Sequence, residues 1–308
     1  MPMTKPPFQT TDFTASFQIQ DRPIRGRVVR MGEESITPIL ARHDYPENLA
    51  RILGEAVALA ALVGSSLKFE GRILVQAEGD GPVRMLVGEY TTSGGVRGYA
   101  RYDEAGWANI ERLNKGKPPH MPQLFGPSGR LGLIMVHDNP DIQPYQGIVP
   151  LNKGTLAQCA EDYYAMSEQV PSRIRLCVEP TGNGEWTCGG MMIQRIAGDE
   201  KRGDTTEAWR EAEALFGTLT QGELIDPELP VTDLLFRLFH EQGVRLEESR
   251  IVDDRCTCNE ERLLQTLRGM PDESLRDLVE PDGTLAIDCQ FCGRHYTLPI
   301  ESVTGPVN

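Results

Sequence analysis

The chain has 308 residues, of which 39% are hydrophobic and 25% are charged, as is ordinary for a globular protein. Its formal net charge is −14 at pH 7, and the pI calculated from the sequence is about 4.9. This acidic balance disfavours nucleic acid and anionic membrane surfaces as partners. The length allows one large domain and one small one.

The sequence predicts neither a secretory signal at the N-terminus nor a membrane-spanning helix. Residues Met1 to Phe8 lack the apolar core of a secretory signal, and the uncharged stretch from Ala56 to Leu67 is too short to span a bilayer. We therefore expect a cytoplasmic protein. In that reducing compartment, closely spaced cysteines indicate metal or redox chemistry.

Residues 1–197 alternate strand and helix signals. A strand pair is predicted around Asp21-Arg22-Pro23, and a helix with a wide apolar face is predicted from Pro46-Glu47. A second helix begins at Thr155, where Thr155-x-x-Gln158 forms a capping box. Further predicted strands are Arg72–Ala77, Val83–Tyr90, Val96–Tyr102, Leu131–His137, Tyr145–Leu151, Ile174–Val178 and Trp186–Gln194. Antiparallel pairs combined with a few helices predict an α+β domain.

Residues 198–243 read as a helical linker. An amphipathic helix is predicted over 205–219, and a densely apolar helix is predicted from Val231 to His240. The second helix carries four candidate contact residues for other proteins, namely Leu234, Leu235, Phe236 and Phe239. Apolar helix faces must be covered, so we expect the linker to pack on the N-terminal domain. With few contacts for its length, it should be among the less stable parts of the chain.

Residues 244–303 form a predicted small domain with four of the seven cysteines. These are Cys256-x-Cys258 and Cys289-x-x-Cys292. Such pairs supply two thiolates each to a tetrahedral zinc ion. Strands are predicted over Thr284–Asp288 and His295–Leu298, with Gly293 in the turn between them at positive φ. A domain of this size has a thin core and usually needs a metal or disulfide to hold it together.

Helical signals lie between the two cysteine pairs. Leu263, Leu264 and Leu267 have helical spacing, and Pro271 begins a second predicted helix that contains Leu275 and Leu278. Helix and hairpin together would complete a small α+β domain around the four thiols.

Several uses of the cysteine site stay open at this point. The site can be a purely structural zinc site, as in a zinc-ribbon adaptor, and His295 can compete as a ligand. Each cysteine pair can also close on itself as a strained, labile disulfide, so the site has a zinc-bound and a disulfide-bonded state. A thiol–disulfide oxidoreductase would need Cys289 at a helix N-terminus, whereas Gly293 and a strand follow it.

The remaining chemistry-bearing residues do not form a catalytic pattern. The five histidines are scattered, and nucleophile-elbow, metalloprotease and phosphate-loop motifs are missing, so no catalytic residue is predicted. Cys159, Cys177 and Cys188 are interpreted as small buried apolar residues.

The order and spacing of these motifs resemble one family over nearly the whole chain, the redox-regulated bacterial heat-shock holdases (33 kDa chaperonins). The cysteine pattern is its most specific part. Supporting segments are Gly79-Asp-Gly-Pro82, Val96-Arg-Gly-Tyr-Ala100, Tyr145-Gln-Gly-Ile-Val-Pro-Leu151, Tyr163 through Ser167-Glu-Gln169, and Gly189-Gly-Met191.

The resemblance implies an ATP-independent chaperone that is not an enzyme, with a core (1–197), a metastable linker and a zinc-binding redox switch. One zinc ion would be held by Cys256, Cys258, Cys289 and Cys292 in the reduced, inactive chain. Oxidation would form the disulfides Cys256–Cys258 and Cys289–Cys292 and release the zinc. The linker would then unfold and bind unfolding client proteins, and the active form would be a homodimer.

Overall fold

The structure is a computed structural model, and it describes residues 11–20, 22–196, 205–271, 274–275 and 278–304, without the side chains of residues 248 and 304. The chain divides into two compact units, Met1–Asp254 and Arg255–Asn308. We call them the sheet unit and the cysteine unit. The fold is α+β, which confirms the predicted class.

The described strands and helices follow the chain in this order. The strands are β1 Phe13–Ile19, β2 Ile24–Met31, β3 Gly71–Glu78, β4 Val83–Thr91, β5 Gly95–Tyr102, β6 Arg130–His137, β7 Tyr145–Pro150, β8 Ser172–Pro180, β9 Trp186–Arg195, β10 Val244–Ile251, β11 Asp253–Asp254, β12 Thr284–Asp288 and β13 His295–Pro299. The helices are α1 Ile36–Leu40, α2 Glu47–Gly64, α3 Glu104–Asn114, α4 Met121–Phe125, α5 Leu156–Met166, α6 Thr205–Gly217, α7 Gln221–Ile225, α8 Val231–Phe239, α9 Glu260–Arg268 and α10 Glu301–Thr304.

Most predicted elements of the N-terminal part are confirmed. The predicted strands pair as antiparallel neighbours, and the capping box at Thr155 is present. Asp21, in the first predicted turn, lies outside the described residues. Helix α3 was not predicted, although Asp103 caps it by accepting a hydrogen bond from the Gly106 amide at 2.7 Å. Its apolar stripe is narrow, with Trp107 and Ile110 as its buried residues.

The sheet unit is built from two sheets with α2 between them. One sheet has the order β10-β1-β2-β9-β8, and the other has the order β11-β5-β4-β3-β6-β7. Helix α2 contacts strands of both sheets and is buried along most of its length. Small residues on both sides permit this close packing: a Cβ added at Gly88 of β4 would lie 2.5 Å from the Ala56 carbonyl oxygen of α2. The predicted helix with a wide apolar face is confirmed, and its burial extends around most of its circumference.

The other face of the five-stranded sheet is covered by α6, α7 and α8, which we call the linker helices. They share an apolar cluster with the sheet that includes Phe17 and Met191 from the strands and Trp209, Phe216 and Phe239 from the helices. Residues 198–204, at the start of the predicted linker, lie outside the described residues. The expected packing of the linker on the N-terminal strands is therefore observed for its described part.

Residues 244–254, which we call the strap, differ from the sequence-based expectation. The sequence predicts that the C-terminal domain begins at residue 244, but β10 pairs with β1 and β11 pairs in parallel with β5 inside the sheet unit. The compact unit that carries the cysteines begins at Arg255. The difference arises because strand partners that are distant in sequence leave no local signal, and half of the residues of β10 are charged.

The cysteine unit contains α9, the β12–β13 hairpin and α10. Its buried apolar cluster consists of Leu267, Leu275, Leu285, Leu298 and Val303 among the described residues. Of the predicted helix after Pro271, residues 272–273 and 276–277 lie outside the described residues. None of the helices in the described part of the chain has the length and hydrophobicity of a membrane span.

Candidate metal centre

The cysteine unit brings four thiols of the chain together. Cys256 and Cys258 precede α9, and Cys289 and Cys292 lie in the turn of the β12–β13 hairpin. All four Sγ atoms lie within 4.8 Å of one another. The Sγ atoms of Cys256 and Cys289 are 3.7 Å apart, and those of Cys258 and Cys292 are 3.4 Å apart.

These distances match the dimensions of a zinc site. Four sulfurs bound tetrahedrally at about 2.3 Å from the metal are separated from one another by about 3.8 Å. The donors are all thiols, the ligand type that zinc accepts in closed structural sites. The four cysteines can therefore bind a metal ion.

Local backbone structure holds the second cysteine pair in place. The Gly293 amide donates to the Cys289 carbonyl at 2.7 Å, and the Cys289 amide donates to the Arg294 carbonyl at 2.9 Å. Gly293 has φ of +68°, as predicted, which a glycine adopts without strain. The knuckle thus orients Cys289 and Cys292 towards the same point.

The first pair is fixed by the start of α9. Asn259 caps this helix by accepting a hydrogen bond from the Arg262 amide at 2.9 Å. The Arg262 side chain reaches back to the Thr257 carbonyl, between the two cysteines, at 3.0 Å. Helix capping and cysteine positioning therefore use the same short segment.

The thiols differ in acidity. Burial acts against ionisation of Cys258, but the hydrogen bonds from Tyr296 and from the neighbouring thiols outweigh it and lower its pKa to about 7. Tyr296 donates to the Cys258 sulfur at 3.2 Å. Burial, together with hydrogen bonding to the other sulfurs, raises the pKa of Cys292 to about 12. The Cys258 thiolate therefore forms readily. Ionisation of all four thiols requires a bound cation that balances their negative charges.

The alternative ligand His295 takes another role. Its Nδ1 lies 2.8 Å from an Asp288 carboxylate oxygen, and its Nε2 lies 3.2 Å from the Thr297 hydroxyl. Within the described residues, the group of close ligand atoms contains the four cysteines and not His295. Cys292 is followed by strand β13 and not by a helix, which argues against an oxidoreductase-type reactive cysteine.

The other three cysteines are buried in the sheet unit, as predicted. Cys159, Cys177 and Cys188 are each at most 3% exposed. Burial raises the pKa of all three thiols, to about 11 for Cys177. Buried, protonated thiols react slowly with oxidants.

The candidate client-binding residues of α8 are mostly covered. Leu234, Leu235 and Phe239 are at most 1% exposed, whereas Phe236 is 64% exposed. The three buried residues lie in the cluster between the linker helices and the sheet. They become available to another protein only if the linker helices leave the sheet.

Two residues of interest carried no motif in the sequence. Tyr296 contacts Cys258, and Arg30 of β2 holds the linker helices. The Arg30 guanidinium donates to the carbonyls of Glu223, Leu224 and Leu229 at 3.0, 3.0 and 2.6 Å. Both roles depend on contacts with residues distant in sequence, so no local pattern could reveal them.

Comparison with known proteins assigns the chain to a family. The family model described as Hsp33 protein matches residues 12–299. The "33 kDa chaperonin" of Caulobacter vibrioides strain NA1000 is 47% identical over 291 residues, covering 93% of this chain and 94% of that protein. The "33 kDa chaperonin" of Pseudomonas fluorescens strain SBW25 is 36% identical over 289 residues, covering 93% of this chain and 90% of its own length.

A solved structure agrees with these relatives. The crystal structure of the 33 kDa chaperonin (heat shock protein 33 homolog) from Thermotoga maritima superposes with a TM-score of 0.77 at 26% identity, covering 95% of this chain and 96% of that one. The family match spans both units and includes all four clustered cysteines. The chain therefore belongs to the Hsp33 protein family.

Proposed function

We propose that the chain is a redox-regulated, ATP-independent holdase that binds unfolding proteins and prevents their aggregation under oxidative stress. The observation that carries the proposal is the cluster of four thiols, whose Sγ atoms lie within 4.8 Å of one another. One or two residues separate the cysteines of each pair in the sequence, so we infer that each pair can also close on itself as a strained disulfide. Family membership supports the chaperone function, since the relatives are named chaperonins. The proposed activity is binding without catalysis.

In the reduced resting state, the four clustered cysteines would act as thiolate ligands. Cys256, Cys258, Cys289 and Cys292 would together hold one zinc ion, which neutralises charge that the four sulfurs cannot carry alone. A site with Sγ atoms this close and partly exposed is open to small oxidants such as hypochlorous acid or peroxide.

Activation would convert the two pairs to disulfides. Cys256 joins Cys258 and Cys289 joins Cys292; each bond releases two electrons to an oxidant, which for hypochlorous acid yields chloride and water. Disulfide sulfurs no longer act as thiolate ligands, so the site loses its metal. Such short loops return little stability to a unit whose described buried core comprises five side chains.

The linker would turn this local change into a binding surface. The strap leads from the sheet unit into Cys256 with Arg255 as the single intervening residue. We propose that unfolding spreads along the chain to the linker helices, which then expose Leu234, Leu235 and Phe239 together with the sheet face beneath them. The protein would act in the cytoplasm, as a homodimer when oxidised, without nucleic acid or membrane partners.

The alternative is a zinc-ribbon adaptor whose metal stays bound in all states. The adaptor can be distinguished from the holdase by measurement, because its site would resist peroxide and its linker helices would stay in place. Nothing in the thiol geometry requires the metal to leave, so the two functions are separated by reactivity.

The test follows zinc, thiols and chaperone activity in one sample. The reduced full chain is treated with hypochlorous acid, and released zinc, free thiols and suppression of aggregation of a thermally unfolding protein are recorded. We expect one zinc to leave as four thiols disappear and activity to appear, with reversal by reductant and zinc. The matched control Cys177→Ser should behave like the unsubstituted chain. Zinc that stays bound would favour the adaptor, and zinc that leaves without any gain in chaperone activity would overturn the holdase function.

A further inference from the structure

Strand β1 has the composition of a segment that pairs readily with other extended chains. Its sequence, Phe-Thr-Ala-Ser-Phe-Gln-Ile, contains no charged residue and no proline. Uncharged, apolar strands of this kind recruit further strands whenever their backbone edge is open. In the five-stranded sheet β1 is second from the edge, between β2 and β10. Among the described strands, β10 is therefore the one that closes this edge of β1.

Strand β10 is a charged cover for that edge. Its sequence, Val-Arg-Leu-Glu-Glu-Ser-Arg-Ile, has four charged residues and three apolar ones, of which Ile251 is 78% exposed. Charged edge strands prevent unwanted pairing between molecules. The pairing of β1 with β10 is also interrupted by an irregularity between Ala15 and Phe17. Backbone hydrogen bonds, more than buried side chains, hold β10 in place.

The apolar contacts of β10 depend on the linker helices. Val244 and Leu246 pack against the cluster that the sheet shares with α6, α7 and α8. Residues 240–243 are all that separates α8 from β10. If the linker helices leave, Val244 and Leu246 lose their covering partners at one end of the strap.

The other end of the strap is held by short contacts next to the cysteines. Val252 is buried, Asp254 pairs with Arg42, and the two-residue β11 bridges to Gly95 and Val96. Cys256 follows two residues after Asp254. An unfolded cysteine unit and unfolded linker helices would thus leave an eight-residue charged strand between two disordered segments.

We propose that β10 leaves the sheet on activation and that the edge of β1 then takes an extended segment of the unfolding client as a new strand. This inference rests on the proposed holdase function and names the surface and the binding mode. Main-chain hydrogen bonds supply affinity in strand addition with little dependence on sequence, which suits a chaperone. Every second client side chain would lie beside Phe13, Phe17 and Ile19 on the same apolar face of the sheet.

Hydrogen exchange of the full chain tests the proposal. Three samples are compared: reduced with zinc, oxidised, and oxidised with reduced carboxymethylated α-lactalbumin as an unfolded probe. We expect oxidation to accelerate exchange in 244–251 and in 13–19 by roughly tenfold or more, as for a segment that has opened. The probe should restore protection in 13–19 while 244–251 stays fast.

The possible outcomes distinguish strand addition at β1 from the proposed holdase function. Oxidised protein that suppresses aggregation while 13–19 stays protected overturns the inference and leaves the holdase function standing. Protection of 13–19 that returns on dimerisation without the probe assigns the edge to a second copy of the chain, which also overturns it. Oxidised protein without anti-aggregation activity overturns the proposed function, and the inference with it.

A peptide competition gives a second, independent readout. A peptide with the sequence of residues 244–251 is added to the oxidised chain together with an aggregating client, and its control carries N-methyl groups on alternate amides. The unmodified peptide should bind and weaken aggregation suppression, because it refills the edge of β1. The N-methylated peptide keeps the side chains but lacks the amide donors along one of its edges, so it should not pair with β1 through that edge and should have no effect. Equal effects of both peptides would contradict backbone pairing.

Discussion

Single residues decide whether the cysteine unit can bind a metal ion. Replacing one ligand, as in Cys292→Ser, leaves three thiols around the site, and a serine hydroxyl is a poor substitute for a thiolate. We expect Cys292→Ser to lose most of its zinc, whereas Cys188→Ser, a buried thiol outside the cluster, keeps one zinc per chain. Zinc content after gel filtration against a chelator measures the difference, and equal zinc in both variants would refute the assignment of the site.

Protons and zinc compete for the same cysteine sulfurs, so the zinc affinity should depend on pH. The raised pKa of Cys292, about 12, and the lowered pKa of Cys258, about 7, mean that binding zinc must release protons throughout the physiological range. Protons compete with the metal, so affinity should rise steadily as pH rises and fall steeply below pH 7. Chelator competition between pH 6 and pH 8 would reveal it, and an affinity independent of pH would show that the thiols do not bind as thiolates.

At the scale of elements, Arg30 joins the linker helices to the five-stranded sheet. Arg30→Met keeps the apolar part of the side chain but removes the hydrogen bonds to three carbonyls of the linker. Each such bond to a charged donor is worth roughly 1.5–3 kcal/mol, so the linker should loosen by several kcal/mol. Faster hydrogen exchange over 221–239 would show this. Arg130→Met, which breaks an exposed ion pair with Glu78, should leave that segment unchanged.

The close packing of α7 on Gly189 of β9 allows a second test of how the linker helices are held on the five-stranded sheet. A Cβ at Gly189 of β9 would lie 2.5 Å from the Leu224 carbonyl oxygen, so Gly189→Ala should push α7 off the sheet. The matched variant is Gly222→Ala within α7, where the added Cβ meets nothing within 4 Å. We expect Gly189→Ala to bind clients at lower oxidant concentrations than Gly222→Ala. Identical activation curves would mean that α7 does not restrain the linker.

At the scale of the whole molecule, the two units should differ in their dependence on metal. The apolar cluster of the cysteine unit comprises five buried side chains among its described residues, whereas the sheet unit has two extensive clusters. Structural zinc contributes about 10–16 kcal/mol in small peptides, comparable to the stability of an entire domain.

Chelation of the reduced chain should therefore unfold the cysteine unit first. We expect protease cleavage within 255–300 after metal removal, while the strands β2 to β9 stay intact, and protection to return when zinc is added. Mass spectrometry of the fragments identifies the cut sites. Loss of both units together on chelation would contradict a local role for the metal.

Features defined by neighbouring residues were visible in the sequence. The cysteine spacing, the positive φ at Gly293, the capping box at Thr155 and the hairpins all depend on a few adjacent positions, and all are observed. The α+β class followed from the same local signals. Local geometry limits such residues to few conformations, so spacing alone identifies them.

Contacts between distant segments were decided by the tertiary structure alone. The sequence indicated neither that β10 closes the edge of β1 nor that Arg30 holds the linker carbonyls, because both partners lie about two hundred residues away. The burial of Leu234, Leu235 and Phe239 against the sheet is of the same kind. A local pattern shows that a face is apolar or that a strand is charged. What covers the face, and which edge the strand closes, depends on packing the whole chain at once.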